Sequence, residues 1–580
     1  MNANNNFFSC ESARETGKNE SLADDNTTIM LQSSENFTNL RRILDDFAKV
    51  SGLSCNFDKT CVLKIGPDTP NLDLAGFVEC ESIKLLGLNI TKNFGPTDPV
   101  FEEIHEKIKG LISFWDRFRL SLPGRISVIK NLLIPQINYL GCFLNPDPNI
   151  LAGIQESLDT FALAGMQVSK DRRYLPGEDG GLGLFDLKSF LHAQKCSWVK
   201  RTVEKPIDNW RFDLKSKSPN GDPSLIRRID ISPTENPILY NIIDSYCTVN
   251  EALSSKDENY KKSQIFLNPV FVRSKDDNNL LDIPFFTRQV YDANKVRIRQ
   301  LTFDDCFLNG KFKTLEQFSE SGLILNNLVW LRLRNAITFT KKAMEKRENI
   351  KTDSISSLGY LKSFKKGSKK FRNVLAHCPT REKDRLSLRT VNTFCVLTDT
   401  QVPNSAHLSK VLGLWNRSFL QNEMREFLFK EHNNCLGLNN RTAHFLANTN
   451  DKCSFCRIVN PETAQKESFR HLFFDCPITR TALYGFIHLS RLQIQRNDPN
   501  LKNIFWYGKT NTTECTDLLL IFEIFRYCIW KCKLRKTIPR SLDITDTVST
   551  ILGTVLKIRP KMKDKMRNNN LCSLFLQALG

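Results

Sequence analysis

The sequence predicts an α+β chain that is mostly helical and divided among several domains. Three observations carry the prediction. From Asp98 onward apolar residues recur at helical spacing, strand-like runs fall within the first 90 residues, and 580 residues are too many for one hydrophobic core. With 41% hydrophobic and 25% charged residues, the composition is that of an ordinary soluble globular protein.

Residues 1–20 are expected to be an unstructured start. Within 21–97, SLADDNTTIML (Ser21 to Leu31) sets two adjacent aspartates between an apolar entry and a β-branched exit. Phe37, Leu40, Ile43, Leu44, Phe47 and Val50 then mark a helix, which Gly52 ends as a C′ glycine. Thr60 to Gly66 and Ser82 to Ile90 read as strands. A helical unit follows over 98–165. Asp98 caps its first helix, Pro99 takes the first helical position, and Phe101, Ile104, Ile108, Leu111, Ile112, Trp115 and Phe118 form its apolar stripe. A second helix is kinked or interrupted near Pro135, and a third runs through PNILAGIQESLDTFALAG. Residues 166–204 hold the turn-prone GEDGGLGLFDL and a helix through Trp198.

The segment 205–414 reads as a connector, partly disordered and partly helical. It is loosely structured over 205–290, where Pro, Asn, Asp and Ser leave no clean period. It becomes helical around LNNLVWLRLRNAITFTKKAMEKR and basic in KSFKKGSKKFRNVLAH. A cysteine- and histidine-bearing region spans 415–490, and a helical region with the basic tail KIRPKMKDKMR fills 491–580.

Lys and Arg outnumber Asp and Glu by 82 to 63, a formal +19, which favours RNA and DNA as partners. In the basic run, Lys365, Lys366, Lys369, Lys370 and Arg372 interleave with Phe364 and Phe371. That mixture suits phosphate contacts with some stacking, or a solvated helix face. The start shows no leader pattern, so the 18 cysteines are expected to be mostly reduced thiols of a nuclear or cytoplasmic protein. The most apolar run, Asp517 to Trp530, is interrupted by Glu523 and Arg526 and is too short to span a bilayer.

Two constellations carry chemistry. CSFCRIVNPETAQKESFRHLFFDC places Cys453, Cys456, His471 and Cys476 at the spacing of a zinc knuckle closed by a His–Cys pair. Four protein ligands leave no open coordination position, so the Zn²⁺ would be structural. The second is Asp24–Asp25. Nucleotidyl transfer uses two Mg²⁺ ions about 3.5–4 Å apart, and carboxylates hold such hard cations. A tight hairpin with adjacent aspartates supplies two ligands, and a third must come from another strand. Other aspartate pairs occur at Asp45–Asp46, on a solvated helix face, and at Asp304–Asp305.

The order LADDNTTIML, a helix ending VSGLSCNFDKT, then KLLGLNI resembles the back half of the palm of non-LTR (LINE-type) retrotransposon reverse transcriptases. Leu22 stands where that family usually has an aromatic. Gly52, Leu53, Asn56, Lys59 and Thr60 fit its GLxxNxxKT pattern, and Leu86–Gly87 falls on its primer-grip hairpin. The resemblance continues through Trp115, Leu120, Ser121, Leu122, Gly124, Arg125, Leu132, Leu133, Pro135 and Tyr139 of the family's thumb pattern. GGLGLFDLKSFLHAQKCSW, ESFRHLFFDCP and IFRYCIWKCKLRK match later segments in the same order.

The resemblance implies a partial palm over 21–97 and a helical thumb over 98–165, with a small zinc-binding domain later. It implies Asp24 and Asp25 as two magnesium ligands and Lys59 as a proton donor to leaving pyrophosphate. Arg125 and Lys130 would contact phosphates. Family fingers and a first palm aspartate belong ahead of the hairpin, where only about 20 residues stand. The chain by itself is therefore expected to be a truncated, catalytically incomplete reverse transcriptase that still binds RNA and DNA. A host-adopted zinc-containing nucleic-acid-binding protein, or an active reverse transcriptase with a misassigned start, are the alternative readings.

Overall fold

The structure is a computed structural model of the chain, described for every residue except 1–17, 23–24, 32, 65–71, 86–87, 92–99, 178–179, 205–209, 235, 255–260, 269–270, 275–276, 346–367, 376–394, 397, 399–410, 446–449, 510–515, 568–572 and 579–580. It is mostly helical with a few short strands, compatible with the α+β class. The chain divides into two units. The first takes Met1–Ile108, Pro135–Ile154 and Leu187–Ala376, the second Lys109–Ile134, Gln155–Asp186 and His377–Gly580.

In the first unit, strand Lys18–Leu22 pairs antiparallel with Asp25–Ile29, Leu22 opposite Asp25. This strand starts inside the segment expected to be unstructured. The helix predicted from Phe37 to Val50 spans Ser34–Ser51. Ser33 caps it by accepting the Asn36 N–H, and Gly52 closes it at φ 74°, a conformation glycine adopts without steric penalty. Its apolar stripe behaves differently from the expectation. Phe37 is buried, but Ile43, Phe47 and Val50 are 59%, 48% and 90% exposed. Periodicity reports that a face is apolar, and burial depends on whether another element covers it.

Ser82 to Ile90 is a hairpin rather than one strand, Ser82–Leu85 pairing antiparallel with Leu88–Thr91. Cys61–Val62 makes a short parallel pair with Val78–Glu79. Among the described residues the strands of 18–91 thus form three separate two-stranded pieces, not the single sheet a palm implies.

The expected loose connector is the largest departure. The described part of 205–290 holds the helix Pro237–Ser254, which packs against Leu187–Glu204, with Lys369–Leu375 against both. Cys196, Val199, Ile226, Ile243, Tyr246 and Phe371 bury themselves between them. The Pro, Asn, Asp and Ser residues that hid the period act as punctuation: Asp222 accepts the Ser224 N–H, Asn236 the Leu239 N–H and Asp282 the Phe285 N–H. A second cluster gathers Phe266, Phe271, Phe286, Ile298, Phe318 and Leu333, the last from the predicted helix now seen as Asn327–Glu345.

In the second unit, the predicted interruption near Pro135 is a π turn over Ile129–Leu133, following the helix Leu122–Val128. Pro135 has no N–H for the carbonyl one turn back, and the chain widens so that the Ile134 N–H reaches Ile129 O. The glycine-rich turn also has a steric reason. A Cβ at Gly181 would run into the Leu175 carbonyl.

Helix Asn422–His432 packs on Leu122–Val128 and on Thr516–Arg535, and Ser541–Ile558 packs on both Thr516–Arg535 and Pro477–Leu489. Thr516–Arg535 is buried on every side along Leu518 to Ile529, which is why its sequence shows no amphipathic stripe. No helix among the described residues is long and apolar enough to cross a membrane.

Candidate metal centre

Cys453, Cys456, His471 and Cys476 converge in the second unit, each offering one ligand atom, all within 4.8 Å of one another. Cys453 caps the helix Ser454–Val459 and Cys456 lies in its first turn, so the two-residue spacing turns both thiols to one side. The Cys453 N–H bonds Gln465 O, and Lys452 bridges antiparallel to Lys466, folding the knuckle onto the incoming strand. His471 opens a second π turn, His471–Asp475, and Cys476 caps the helix Pro477–Leu489. The Cys476 N–H bonds His471 O, an i→i+5 bond. Five residues apart, the two side chains would diverge on an α-helix; the wider π turn brings them onto one face.

Sγ of Cys456 lies 3.6 Å from Sγ of Cys476 and 3.3 Å from Nε2 of His471, and Sγ of Cys453 lies 3.9 Å from Sγ of Cys476. These are not disulfide distances. They match the edges, about 3.8 Å, of a tetrahedron with Zn–S bonds of about 2.3 Å. The Cys476 thiol is held below the usual thiol range, first by the hydrogen bond from Cys453 and then by the one to His471, against the opposing effect of burial. A donor set of three sulfurs and an imidazole, buried except for the half-buried Cys456, is suited to a borderline-soft divalent ion.

A buried carboxylate fixes this knuckle. Glu467 is fully buried; its Oε2 accepts from the Ser454 N–H (2.9 Å) and Oγ (2.8 Å), and its Oε1 from the Asn439 N–H and from Lys533 Nζ (2.6 Å). The contact ties the residue beside Cys453 to the long buried helix. Sequence reading missed it, because a glutamate four residues before a histidine carries no spacing signal.

A second polar quartet was visible only as an interruption. Glu523 and Arg526, which break the apolar run, meet Glu431 and His432 from the helix Asn422–His432, all buried. Arg526 Nε lies 2.7 Å from Glu431 Oε1, its Nη2 2.6 Å from Glu523 Oε1, and His432 Nε2 3.3 Å from the same Glu523 oxygen. Burial pushes the Glu431 carboxyl up to about 8 against the pull of Arg526, and pushes His432 down to about 4. Although its ligand atoms are close enough for an ion, the guanidinium already lies between the carboxylates, and a divalent cation would be repelled.

The remaining predicted residues are scattered. Asp24 lies outside the described residues, as do Lys365 and Lys366; Asp25 begins the strand Asp25–Ile29. Lys59 is exposed in the turn after the first helix, its N–H bonded to Asn56 O. Lys369 and Lys370 open the helix Lys369–Leu375, where Arg372 is partly buried and Phe371 is fully buried. Phe371 is therefore a core residue, not a stacking platform. Arg125 is partly engaged within the protein: Nε donates to Ala162 O at 3.1 Å and Nη1 to Leu120 O at 2.5 Å. Lys130 Nζ lies over the Phe185 ring, 5.5 Å from its centroid. The cysteines among the described residues are free.

No family model matches the chain. Over 136 residues it is 31% identical to a protein of Xenopus laevis named Transposon TX1 uncharacterized 149 kDa protein. The match covers 23% of this chain and 10% of that protein's length. The chain is similar, over that segment, to a transposon-encoded protein.

Proposed function

We propose that this chain is a reverse-transcriptase-derived protein of a non-LTR retrotransposon whose C-terminal region is a zinc-stabilised module binding single-stranded RNA or DNA. The convergence of Cys453, Cys456, His471 and Cys476 on one point carries the reading. It is supported by the similarity to a transposon protein and by the +19 charge. When bound, Zn²⁺ supplies a closed structural cross-link between the knuckle and the helix Pro477–Leu489. Nucleic-acid affinity then comes from exposed lysines and arginines and is sequence-independent.

Binding, rather than polymerisation, is the activity proposed. Two-metal chemistry needs Asp24 and Asp25 backed by a third carboxylate on a shared sheet, and the described strands of 18–91 form two-stranded pieces. Purified protein should hold one zinc per chain and bind single-stranded RNA with an affinity that falls steeply between about 50 and 200 mM salt. Zinc-free protein with unchanged folding, or binding indifferent to salt, would remove this reading. Mg²⁺-dependent primer extension that is lost in Asp24→Ala would replace it with an active polymerase.

A further inference from the structure

The helix that starts at the metal ligand Cys476 ends at a cleft of about 350 Å³, 13 residues of helix away. Tyr484, Ile487 and Ile494 form its apolar walls, and His488, Arg491 and Arg496 its basic groups. Among the described residues none lining it is acidic. Cations at a helix C-terminus complement the helix dipole, and that accounts for His488 in the last turn. It does not account for the two arginines, which lie beyond the helix.

Arg491 occupies the C′ position of a Schellman turn: its N–H bonds His488 O while the Leu492 N–H bonds Ile487 O. Glycine is usual there, because φ is left-handed; Arg491 adopts φ 49°. The backbone accepts that strain and gains a guanidinium at the cleft. Arg496 lies over the Tyr484 ring, 5.7 Å from its centroid. Among the described residues neither Arg491 nor Arg496 makes an ion pair. An aromatic, apolar-walled cleft with unneutralised guanidinium groups is complementary to a flat base carrying a phosphate.

We propose that this cleft binds one nucleotide of a single-stranded nucleic acid, its base against Tyr484 and the apolar wall, its phosphates facing Arg491 and Arg496. The proposal rests on the nucleic-acid-binding reading and adds a defined subsite to it.

The test uses the full chain, single-stranded RNA carrying 4-thiouridine, and anisotropy titrations over a range of salt. In the wild type, photo-crosslinks should map to the peptide spanning 484–496. Arg491→Gln with Arg496→Gln should lower the salt slope by about 1.4, two released counterions on a single strand. Tyr484→Ala should weaken binding about tenfold or more through lost stacking. Arg491→Lys with Arg496→Lys should restore the slope, and zinc content and melting temperature should stay at wild-type values throughout.

If wild-type protein binds no RNA, the functional reading fails and the subsite with it. If it binds RNA but crosslinks elsewhere, or the double Gln variant keeps the full salt slope, the cleft alone is overturned. Inorganic phosphate that blocks the crosslink as well as a mononucleotide does would reduce the cleft to an anion site and overturn base recognition. Crosslinking of wild-type protein needs no variant to fold, so a misfolded variant leaves the proposal open to refutation.

Discussion

The second unit contains two buried polar quartets with opposite logic. Cys453, Cys456, His471 and Cys476 present a soft donor set with no cation of their own; Glu431, His432 and Glu523 present donors equally close together, with Arg526 already between them. Both bury groups that water would otherwise solvate, and each needs a positive charge in the middle. In the proposed reading the first takes it from solution; the second has it from the chain. The difference shows in the sequence. A site that recruits an ion must space its ligands to a coordination polyhedron, which leaves a readable motif, whereas an ion network needs only facing helices.

Removing the cation should affect the metal quartet more. Structural zinc contributes about 10–16 kcal/mol in isolated finger peptides, and part of that is folding energy here. Cys476→Ser, or extraction by a chelator, should abolish the cooperative calorimetric transition of the second unit and release one zinc per chain. An unchanged transition after complete extraction would make the cysteines ordinary core residues.

Arg526→Met tests the other quartet by the equivalent deletion. It leaves Glu431 and Glu523 buried without their cation and should cost about 3–5 kcal/mol by urea unfolding at neutral pH. Zinc content should stay the same, since the zinc ligands come from other helices. The comparison breaks down if the variant also loses its metal.

Replacing the three carboxyl and guanidinium members of the ionic quartet, with His432 kept, tests whether the charges stabilise the fold at all. A variant with Glu431→Met, Glu523→Leu and Arg526→Met removes the charges together and should be neutral or up to about 4 kcal/mol more stable, because each buried ion's desolvation is no longer incurred. No such apolar exchange is available to the cysteines, whose stabilising energy enters with the ion. A strongly destabilised triple variant would mean that the network's hydrogen bonds outweigh its desolvation.

Much of the helical framework was legible because local rules decide it. Gly52 closes its helix, Pro135 disrupts its own, and Gly181 leaves space for a neighbouring carbonyl, all by steric rules that act within a turn or two. The metal quartet was legible for the same reason, since its two pairs are set by short spacings on a knuckle and a π turn. What could not be read was whatever depends on partners distant in sequence. Ile43, Phe47 and Val50 looked like core and are exposed, while Pro, Asn and Asp of 205–290 looked like linker and cap buried elements. Glu523 and Arg526 looked like interruptions until Glu431, 92 residues before Glu523, faced them.

The smallest expected effect is the pH dependence of the ionic quartet, and its sign follows from proton counts. Two carboxyls face one guanidinium, so a retained proton prevents a buried negative charge, and desolvation favours keeping it. With the Glu431 pKa raised from 4.5 to about 8, the native state holds a proton that the unfolded chain has released, so stability falls as pH rises through that window. His432, lowered from 6.5 to about 4, acts oppositely: the unfolded chain binds the extra proton, so stability rises with pH between those values. The two largely cancel below pH 6.5, leaving the carboxyl effect alone between 6.5 and about 8. There each retained proton is worth at most about 1.4 kcal/mol per pH unit. Glu431→Gln keeps the shape and removes the proton, so urea unfolding across this range should show the wild type losing up to about 2 kcal/mol relative to the variant. Parallel stability curves for the two proteins would mean that Arg526 holds both carboxylates ionised, making the quartet an ion triad with a neutral imidazole beside it.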